Sequence, residues 1–434
     1  MTITSSLNAG VSGLNANAAR LAGISDNIAN SGTYGYKRAE TDFFQMVNAG
    51  NNAGSYSAGG VRTTALRMVD EQGALVGTTN STDISIDGRG FLPVSPDEGD
   101  AVTLTTTGSF RTDANGVLKT ESGLTLMGWA ANADGTIPAV ARESMSGLEP
   151  VKINMNQFIS NPTTRMALAV NLPATATQPD AAAQSYSQTI EYYDSLGTAQ
   201  SMTVDFTSVP ATGGTASNAW MMRLTDDATS TVLGDYRMVF DDSQQAGGTL
   251  ESVTRIAGSG DSAKAGTYDA DSGTINLKLS GGNVSFSLGK PGQTTGMSQL
   301  SDTYAPSVIE KDGSAVGSLQ SIEVDDNGYV RAQYDQGFSR VLYQVPVVDV
   351  PNPNGLRSLD NQTFSITADS GAFYLWDAGD GPTGSTKGFT REQSTTDVAE
   401  ELTQLIQTQN AYSSNAKIIQ TVDEMLQETT NLKR

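Results

Sequence analysis

The chain contains neither cysteine nor histidine. Together these absences remove Cys nucleophiles, Cys/His zinc sites, Ser-His-Asp triads and histidine acid–base catalysis. Carboxylate, Lys or Tyr chemistry is left open. The missing cysteine fixes no compartment, although it suits a protein that leaves the cytosol unoxidised. Charge is also scarce: 17% of the 434 residues are charged, with 26 Lys and Arg against 47 Asp and Glu, a formal net charge of -21 at pH 7. Asn, Ser, Thr and Gly carry the polarity instead. So acidic a balance argues against nucleic acid as a partner, because binding it needs cations to displace phosphate counterions. It argues equally against docking on an anionic membrane. No apolar run reaches the roughly 18 residues of a membrane span, so no membrane insertion is expected. The opening stretch MTITSSLNAGVSGLNANAARLAG has no basic region and no continuous apolar core, so no cleaved secretory signal is expected.

What is present differs between the ends and the middle. From Ile3, apolar residues recur at Leu7, Val11, Leu14, Ala18, Leu21 and Ile28, with Ile24 on the same face. Steps of four and three make a helical stripe narrow enough for a coiled-coil seam. The carboxy end repeats it at Val398, Leu402, Leu405, Tyr412, Ala416, Ile419 and Leu426; Gln409 and Asp423 fall in the seam, and Ile406 and Val422 widen it. Ser394 to Asp397, STTD, reads as a capping box before this second helix. The first helix is rich in Gly, Ala, Asn and Ser, and each interior Gly costs about 1 kcal/mol against Ala. Both ends are therefore expected to be helical only once packed.

Between the ends the pattern turns to short strands and glycine turns. DISIDGRGFLPV (83–94) alternates and carries Asp87-Gly88, a hairpin-type signal; turns follow at Asn115-Gly116 and Ser122-Gly123. Turn signals every 8 to 12 residues or so point to sandwiches or barrels. LPATATQPDAAAQ (172–184) reads as an exposed link. The fold expected is multidomain and mainly β, nested antiparallel sandwiches or barrels, with N- and C-terminal α-helices paired as a coiled-coil-like inner domain. Its expected boundaries are a helical domain from 1–30 and 395–434, an extended linker from 31–75 and 370–394, an inner β domain from 76–150 and 305–369, and an outer β domain from 151–304. Residues 1–50 and 391–434 together carry -3, leaving -18 for the middle, where a solvated surface would hold it.

No catalytic, cofactor-binding or metal residues emerge. DGRG (87–90) lacks the surroundings of a phosphate loop and reads as a turn. DADSG (269–273) opens like a calcium loop, but its twelfth position is Ser280 where a bidentate Glu is needed. DDNG (325–328) is a turn on the same grounds. Glu400/Glu401 and Asp423/Glu424 are adjacent on a helix and so diverge, which reads as a solvated face. The stretch Asn30 to Arg38 is more pointed. Gly32 and Gly35 would permit unusual backbone angles, Tyr34 and Tyr36 would bury area with polar tips, and Lys37 and Arg38 would supply cations. It reads as a contact set at the exit of the first helix.

ANSGTYGYKR (29–38) resembles the amino-terminal signature of the bacterial flagellar axial family, which comprises rod, hook and hook-associated proteins. EQGALVGTTNSTDISIDGRGFLPV, TTGSFRTDANGVLKTESGLTLMGW, YYDSLGTAQSMTVDF, NPNGL (352–356) and QNAYSSNAKIIQTVDEML (409–426) extend the likeness to both ends and the inner β region. YYDSLG (192–197) and the length favour hook over distal rod. Across about residues 210–300 no family motif is identified, as the resemblance implies for the segment in which the family varies most. FLPV (91–94) and REQSTTD (391–397) depart from the usual pattern, and Pro93 needs an edge position or a bulge.

This resemblance implies a structural, non-enzymatic subunit of the flagellar hook, polymerising into a hollow, flexible tube that passes torque from rod to filament. It implies as partners further copies of the chain, the distal rod protein, the hook cap protein, the hook–filament junction protein and the flagellar type III export apparatus. The location implied is the extracellular hook, reached without a cleaved signal. The terminal stripes would then be subunit-interface helices, and Asn30, Gly32, Tyr34, Gly35, Tyr36, Lys37 and Arg38 a joint meeting acidic surfaces of neighbouring subunits. Two readings stay beside it: a distal-rod or hook-associated axial protein, and a secreted β-rich binding module or enzyme.

Overall fold

A computed structural model describes residues 3–46, 58–96, 101–132, 134–154 and 158–431. Parts of the expected 1–30, 31–75, 76–150, 151–304 and 395–434 segments thus lie outside the described residues, as does the side chain of Ile3. The chain is mainly β with its terminal helices packed together. It divides into two compact units: residues 1–155, 321–333 and 339–434, and residues 156–320 with 334–338.

The first unit holds both helices, α1 (Ile3–Ala29) and α2 (Val398–Asn431). They run antiparallel, with Gly10 beside Ile419, Gly13 beside Asn415 and Asn27 beside Glu401. α2 starts at Asp397, whose Oδ1 accepts from the amides of Ala399 at 2.8 Å and Glu400 at 3.2 Å, the usual repair for free N–H groups at a helix start. The cap is therefore one carboxylate; Ser394, expected to open a capping box, instead accepts from the Thr396 amide within the turn before it. After α1 come the antiparallel strands Ala39–Gln45 and Val61–Arg67.

The remainder of this unit is built on a thirteen-stranded sheet. Asn115-Gly116 and Ser122-Gly123 make the expected turns, with both glycines at positive φ and the flanking strands paired. Asp87-Gly88 does not make a hairpin. Asp83–Asp87 pairs with Ser385–Gly388 and Thr107–Thr112, whereas Leu92–Ser95 pairs with Thr103–Thr105 and Thr125–Ala130. Gly88 is required on two counts: its φ is +117, and a Cβ would sit 2.9 Å from the Gly384 Cα. Pro93 is paired with Leu104 on one side only; the second neighbouring strand engages from Val94 onward, so the proline sits where the strand has one free edge. Trp129, Phe91, Leu104, Val348, Phe364 and Leu375 form the core. Segment 370–394 contributes the strands Tyr374–Trp376, Ser385–Gly388 and Thr390–Glu392.

The second unit is a two-sheet sandwich. Ser185–Tyr193, Ala199–Ser208, Ala219–Asp226, Thr231–Phe240 and Leu250–Arg255 form a five-stranded antiparallel meander. Arg165–Leu172, Ala265–Asp269, Thr274–Leu279, Gly282–Ser287, Ser298–Gln299 and Ala305–Lys311 form a six-stranded sheet. Their inward residues, among them Phe206, Trp220, Leu224, Tyr236 and Phe286, share one core. Asp269 to Gly273 is a turn, its carboxylate accepting from the Asp271 amide and the Ser272 hydroxyl. The 172–184 stretch is less exposed than its composition suggests. Ala174–Thr177 forms a short helical turn that buries Ala176 and Thr177, and Gln299 Nε2 donates to Thr177 Oγ1 at 2.8 Å.

Candidate functional site

The candidate site is the helix pair with the segment that leaves it, all within the first unit. Helix α1 has two stripes, and the chain uses the less apolar one to bind α2. Gly10, Gly13, Ala16, Asn17, Ile24 and Asn27 are buried. A Cβ on Gly13 would stand 3.0 Å from the Asn415 side chain, and one on Gly10 would stand 3.2 Å from Ile419 Cγ1, so small residues set the helix separation. The apolar stripe lies off this contact. Val11 and Ala18 are exposed and Leu7, Leu14, Leu21 and Ile28 half-buried; only Ile24 is buried. On α2, Val398, Leu402, Tyr412 and Leu426 are exposed, while Leu405, Ala416 and Ile419 are half-buried. What α2 buries is Glu401, Thr408 and Val422.

Glu401 thus departs from its expected place on a solvated flank. One carboxylate oxygen accepts from Asn27 Nδ2 at 2.8 Å, and the other has no hydrogen-bond partner. Burial pushes its pKa up, against the opposing pull of the Asn27 hydrogen bond and Arg38. Asn27 is the hub. Its amide also donates to Ala39 O at 2.9 Å and its oxygen accepts from Ala39 N at 2.8 Å, tying helix, exit and α2 at one point.

The exit then folds back on the chain. Asn30 Nδ2 donates to the Asp26 carbonyl at 2.9 Å, closing the last turn of α1. Gly35 has φ +73, the left-handed region that favours glycine, and a Cβ there would meet Thr107 Cγ2 at 3.0 Å. Gly32 needs no such freedom: its φ is not in that region and no neighbouring atom crowds it. Tyr36 is buried, its hydroxyl donating to Asp26 Oδ2 at 2.9 Å with Asn27 Oδ1 at 3.0 Å, and the Arg67 guanidinium lies 4.9 Å from its ring centre. Burial, followed by the Asp26 hydrogen bond, pushes the Tyr36 phenol up to about 12. Tyr34 is half-buried under the Arg391 guanidinium, 3.9 Å from its ring centre.

Each of the two cations has an acidic partner within the chain. Lys37 and Glu392 are 3% and 2% exposed, and Nζ reaches Oε1 at 2.7 Å. Lys37 also donates to Glu71 O at 2.6 Å, and the same Glu392 oxygen accepts from Gly73 N at 2.7 Å. Arg38 grips Glu71 with two hydrogen bonds, 2.8 and 3.0 Å, which hold its guanidinium more firmly protonated. Thr395 links both strands of the exit, accepting from Arg38 N and donating its amide to Tyr36 O. The cluster is therefore a lock between the segment after α1 and the segment before α2. Sequence reasoning missed Asn27, Glu71, Glu392 and Glu401, whose partners lie up to 374 residues away. Among the described residues no three acidic side chains converge as a metal site, and no helix is long and apolar enough to cross a membrane.

Comparison with known proteins bears on these same segments. The family described as "Flagella basal body rod protein" matches residues 7–37, and "Flagellar basal body rod FlgEFG protein C-terminal" matches residues 387–432. Across its whole length the chain is 32% identical over 441 residues to the flagellar hook protein FlgE of Brucella suis, covering 100% of both chains. It is 31% identical over 434 residues to that of Rhizobium meliloti, again covering 100% of both. To that of Salmonella typhimurium it is 29% identical over 432 residues, 98% of each. Among solved structures, that of Helicobacter pylori flagellar hook protein FlgE2 gives a TM-score of 0.49 at 14% identity, covering 72% of this chain and 99% of that one.

Proposed function

The chain belongs to the flagellar hook protein family, and on that premise we propose that copies of it polymerise through their terminal helices into a hollow, bendable tube that carries torque from rod to filament. It is a structural subunit and not an enzyme. One observation carries the proposal: Val398, Leu402, Ile406, Tyr412, Ile418, Met425 and Leu426 remain exposed on α2 after α1 has docked, Ile406 to 59%. Covering half-exposed side chains of this size is worth on the order of 1 kcal/mol each, so neighbouring helix pairs gain several kcal/mol per copy by bundling. The apolar stripe of α1, from Leu7 to Ile28, supplies a matching surface. Contacts of this kind are head-to-tail and do not close, which is how a helical tube grows.

In this reading the lock around Tyr36, Lys37 and Arg38 is internal. It fixes where the chain leaves the helix pair, and the polar, acidic β units yield when the tube bends. The neighbours proposed at the ends of the polymer are the distal rod protein, the hook cap protein and the hook–filament junction protein, with delivery by the flagellar type III export apparatus to the outside of the cell. The test is Leu402→Asp with Ile406→Asp, two positions that are exposed in the free chain. The variant should keep the β-sheet circular dichroism and near-ultraviolet spectrum of the wild type and form no tubes in negative-stain microscopy. Curved tubes from the variant would refute the helix-bundling proposal, and straight, stiff tubes from the wild type would favour a rod.

A further inference from the structure

The second unit presents two outer faces of different character. Within its boundaries 17 acidic side chains stand against eight basic ones. Arg165, Arg223 and Lys311 each have a carboxylate within 3.4 Å. Lys264 and Lys278 do not. They face each other across the pairing of Ala265–Asp269 with Thr274–Leu279, one step beyond the Ala265–Leu277 register pair, with Lys278 N donating to Lys264 O at 2.6 Å. Neither makes an ion pair among the described residues. Like charges directly opposite on a sheet destabilise it. Around them Thr164, Asn276, Asn283 and Ser285 line a polar groove that offers hydrogen bonds.

The other sheet carries a mixed row in which two acids flank one cation, with Arg237 outward two residues beyond Asp235. Asp205, Arg223 and Asp235 form a cross-strand row, with Asp205 opposite Arg223 and Arg223 opposite Asp235. Arg223 is committed to Asp235 by two bonds of 2.8 and 3.1 Å, so the Asp205 charge is left over. Ser187 and Thr207 border this row in its own groove. The residues next in sequence, Leu277 and Leu279 on one sheet, Phe206, Leu224 and Tyr236 on the other, point into the shared core. The lysines and the aspartates therefore lie on opposite outer faces of one sandwich.

We propose that the Lys264–Lys278 face of one copy docks on the Asp205–Arg223–Asp235 face of a second copy. This rests on the polymerisation reading above and names a contact within it. Opposite faces cannot satisfy each other within a chain, and a patch that pairs with a different patch on the next copy propagates instead of closing as a dimer. The lysine pair also offsets the repulsion that two such acidic units would otherwise feel at close range.

The experiment compares the full-length wild type with K264E/K278E and with K264E/K278E carrying D205K, measuring by sedimentation the concentration at which polymer appears, at low and high salt. Near-ultraviolet circular dichroism from Trp220 checks that the second unit is folded in each. Charge reversal should raise the critical concentration roughly tenfold at low salt, with the difference shrinking as salt screens it. Adding D205K should recover part of the loss. Wild-type tubes with an unchanged critical concentration in the reversed variant, or no recovery on adding D205K, would overturn the docking contact alone. Reduced retention on a heparin column with unchanged assembly would overturn it too, assigning the lysines to a polyanion. No polymer from the wild type at any salt would instead defeat the polymerisation reading and this contact with it.

Discussion

Replacing Lys37 with Met tests the lock directly. The side chain keeps its length and loses its cation, at a position 3% exposed. In the wild type Glu392 Oε1 accepts from Lys37 Nζ and from Gly73 N, each at 2.7 Å. After the change the carboxylate retains the Gly73 amide but no counter-ion, at a side-chain exposure of 2%. Removing one member of a buried pair costs about 3–5 kcal/mol, because the surviving charge is uncompensated. The double variant K37M/E392Q removes that charge while its amide oxygen still accepts from Gly73, so the penalty should fall to about 1–2 kcal/mol. The coupling energy between the two positions should therefore exceed about 2 kcal/mol. The assay is urea unfolding in a Trp220→Phe background, where the remaining fluorophores, Trp129 and Trp376, both lie in the first unit. Trp129 and Trp376 report on the first unit, so the midpoint and slope of the transition they follow are analysed. A loss below about 1 kcal/mol for K37M, or a double variant no more stable than the single, would refute the claim that this ion pair holds the exit.

Three further outcomes follow from the same geometry. Glu401 has a raised folded pKa, so the folded state holds its proton more tightly than the unfolded chain; its contribution to helix pairing is greatest below the usual carboxylate range and declines as pH rises through the raised value. Asn27, Arg20, Arg38 and Glu400 are the polar and charged groups around it, and the difference between wild-type and E401Q stability, followed by circular dichroism at 222 nm, should grow from pH 4 to pH 8 or so in favour of E401Q. Gly35→Ala should destabilise the first unit by about 1–2 kcal/mol through left-handed backbone strain, with the Thr107 contact adding to it, whereas Gly32→Ala should be close to neutral; equal effects in urea unfolding would refute the assignment. Tyr36→Phe should cost about 1 kcal/mol by removing a buried hydroxyl bond, and spectrophotometric titration at 295 nm should lose a phenol ionising near 12.

The β content, the glycine turns at 116 and 123 and the helix at each end were legible because they rest on local pattern. Asp87-Gly88 was misread for the opposite reason. A two-residue turn signal is the same whether its flanking strands pair with each other or with distant ones, and here Ser385–Gly388, some 300 residues on, takes the place beside Asp83–Asp87. Asn27–Glu401 and Lys37–Glu392 share that opacity. Each residue is unremarkable where it stands in the sequence, and its chemistry appears only when the fold joins it to a partner 374 or 355 positions away.

The helices show the limit of periodicity most clearly. A hydrophobic stripe announces that a face will be buried, but says nothing about whether the burial is within the chain or between chains. The apolar stripes were the strongest helical signal, and the fold leaves Val11, Leu402, Tyr412 and Leu426 40 to 46% exposed. Intrachain packing falls instead to Gly10, Gly13, Asn17 and Asn27, spaced three, four and ten residues apart, which score as nothing on a hydropathy scale. That division has a physical logic. Small and polar residues bring the two helices close through shape and a few hydrogen bonds. On the bundling proposal the apolar area is kept for partners of the same kind, and covering it adds to the stability of both helices.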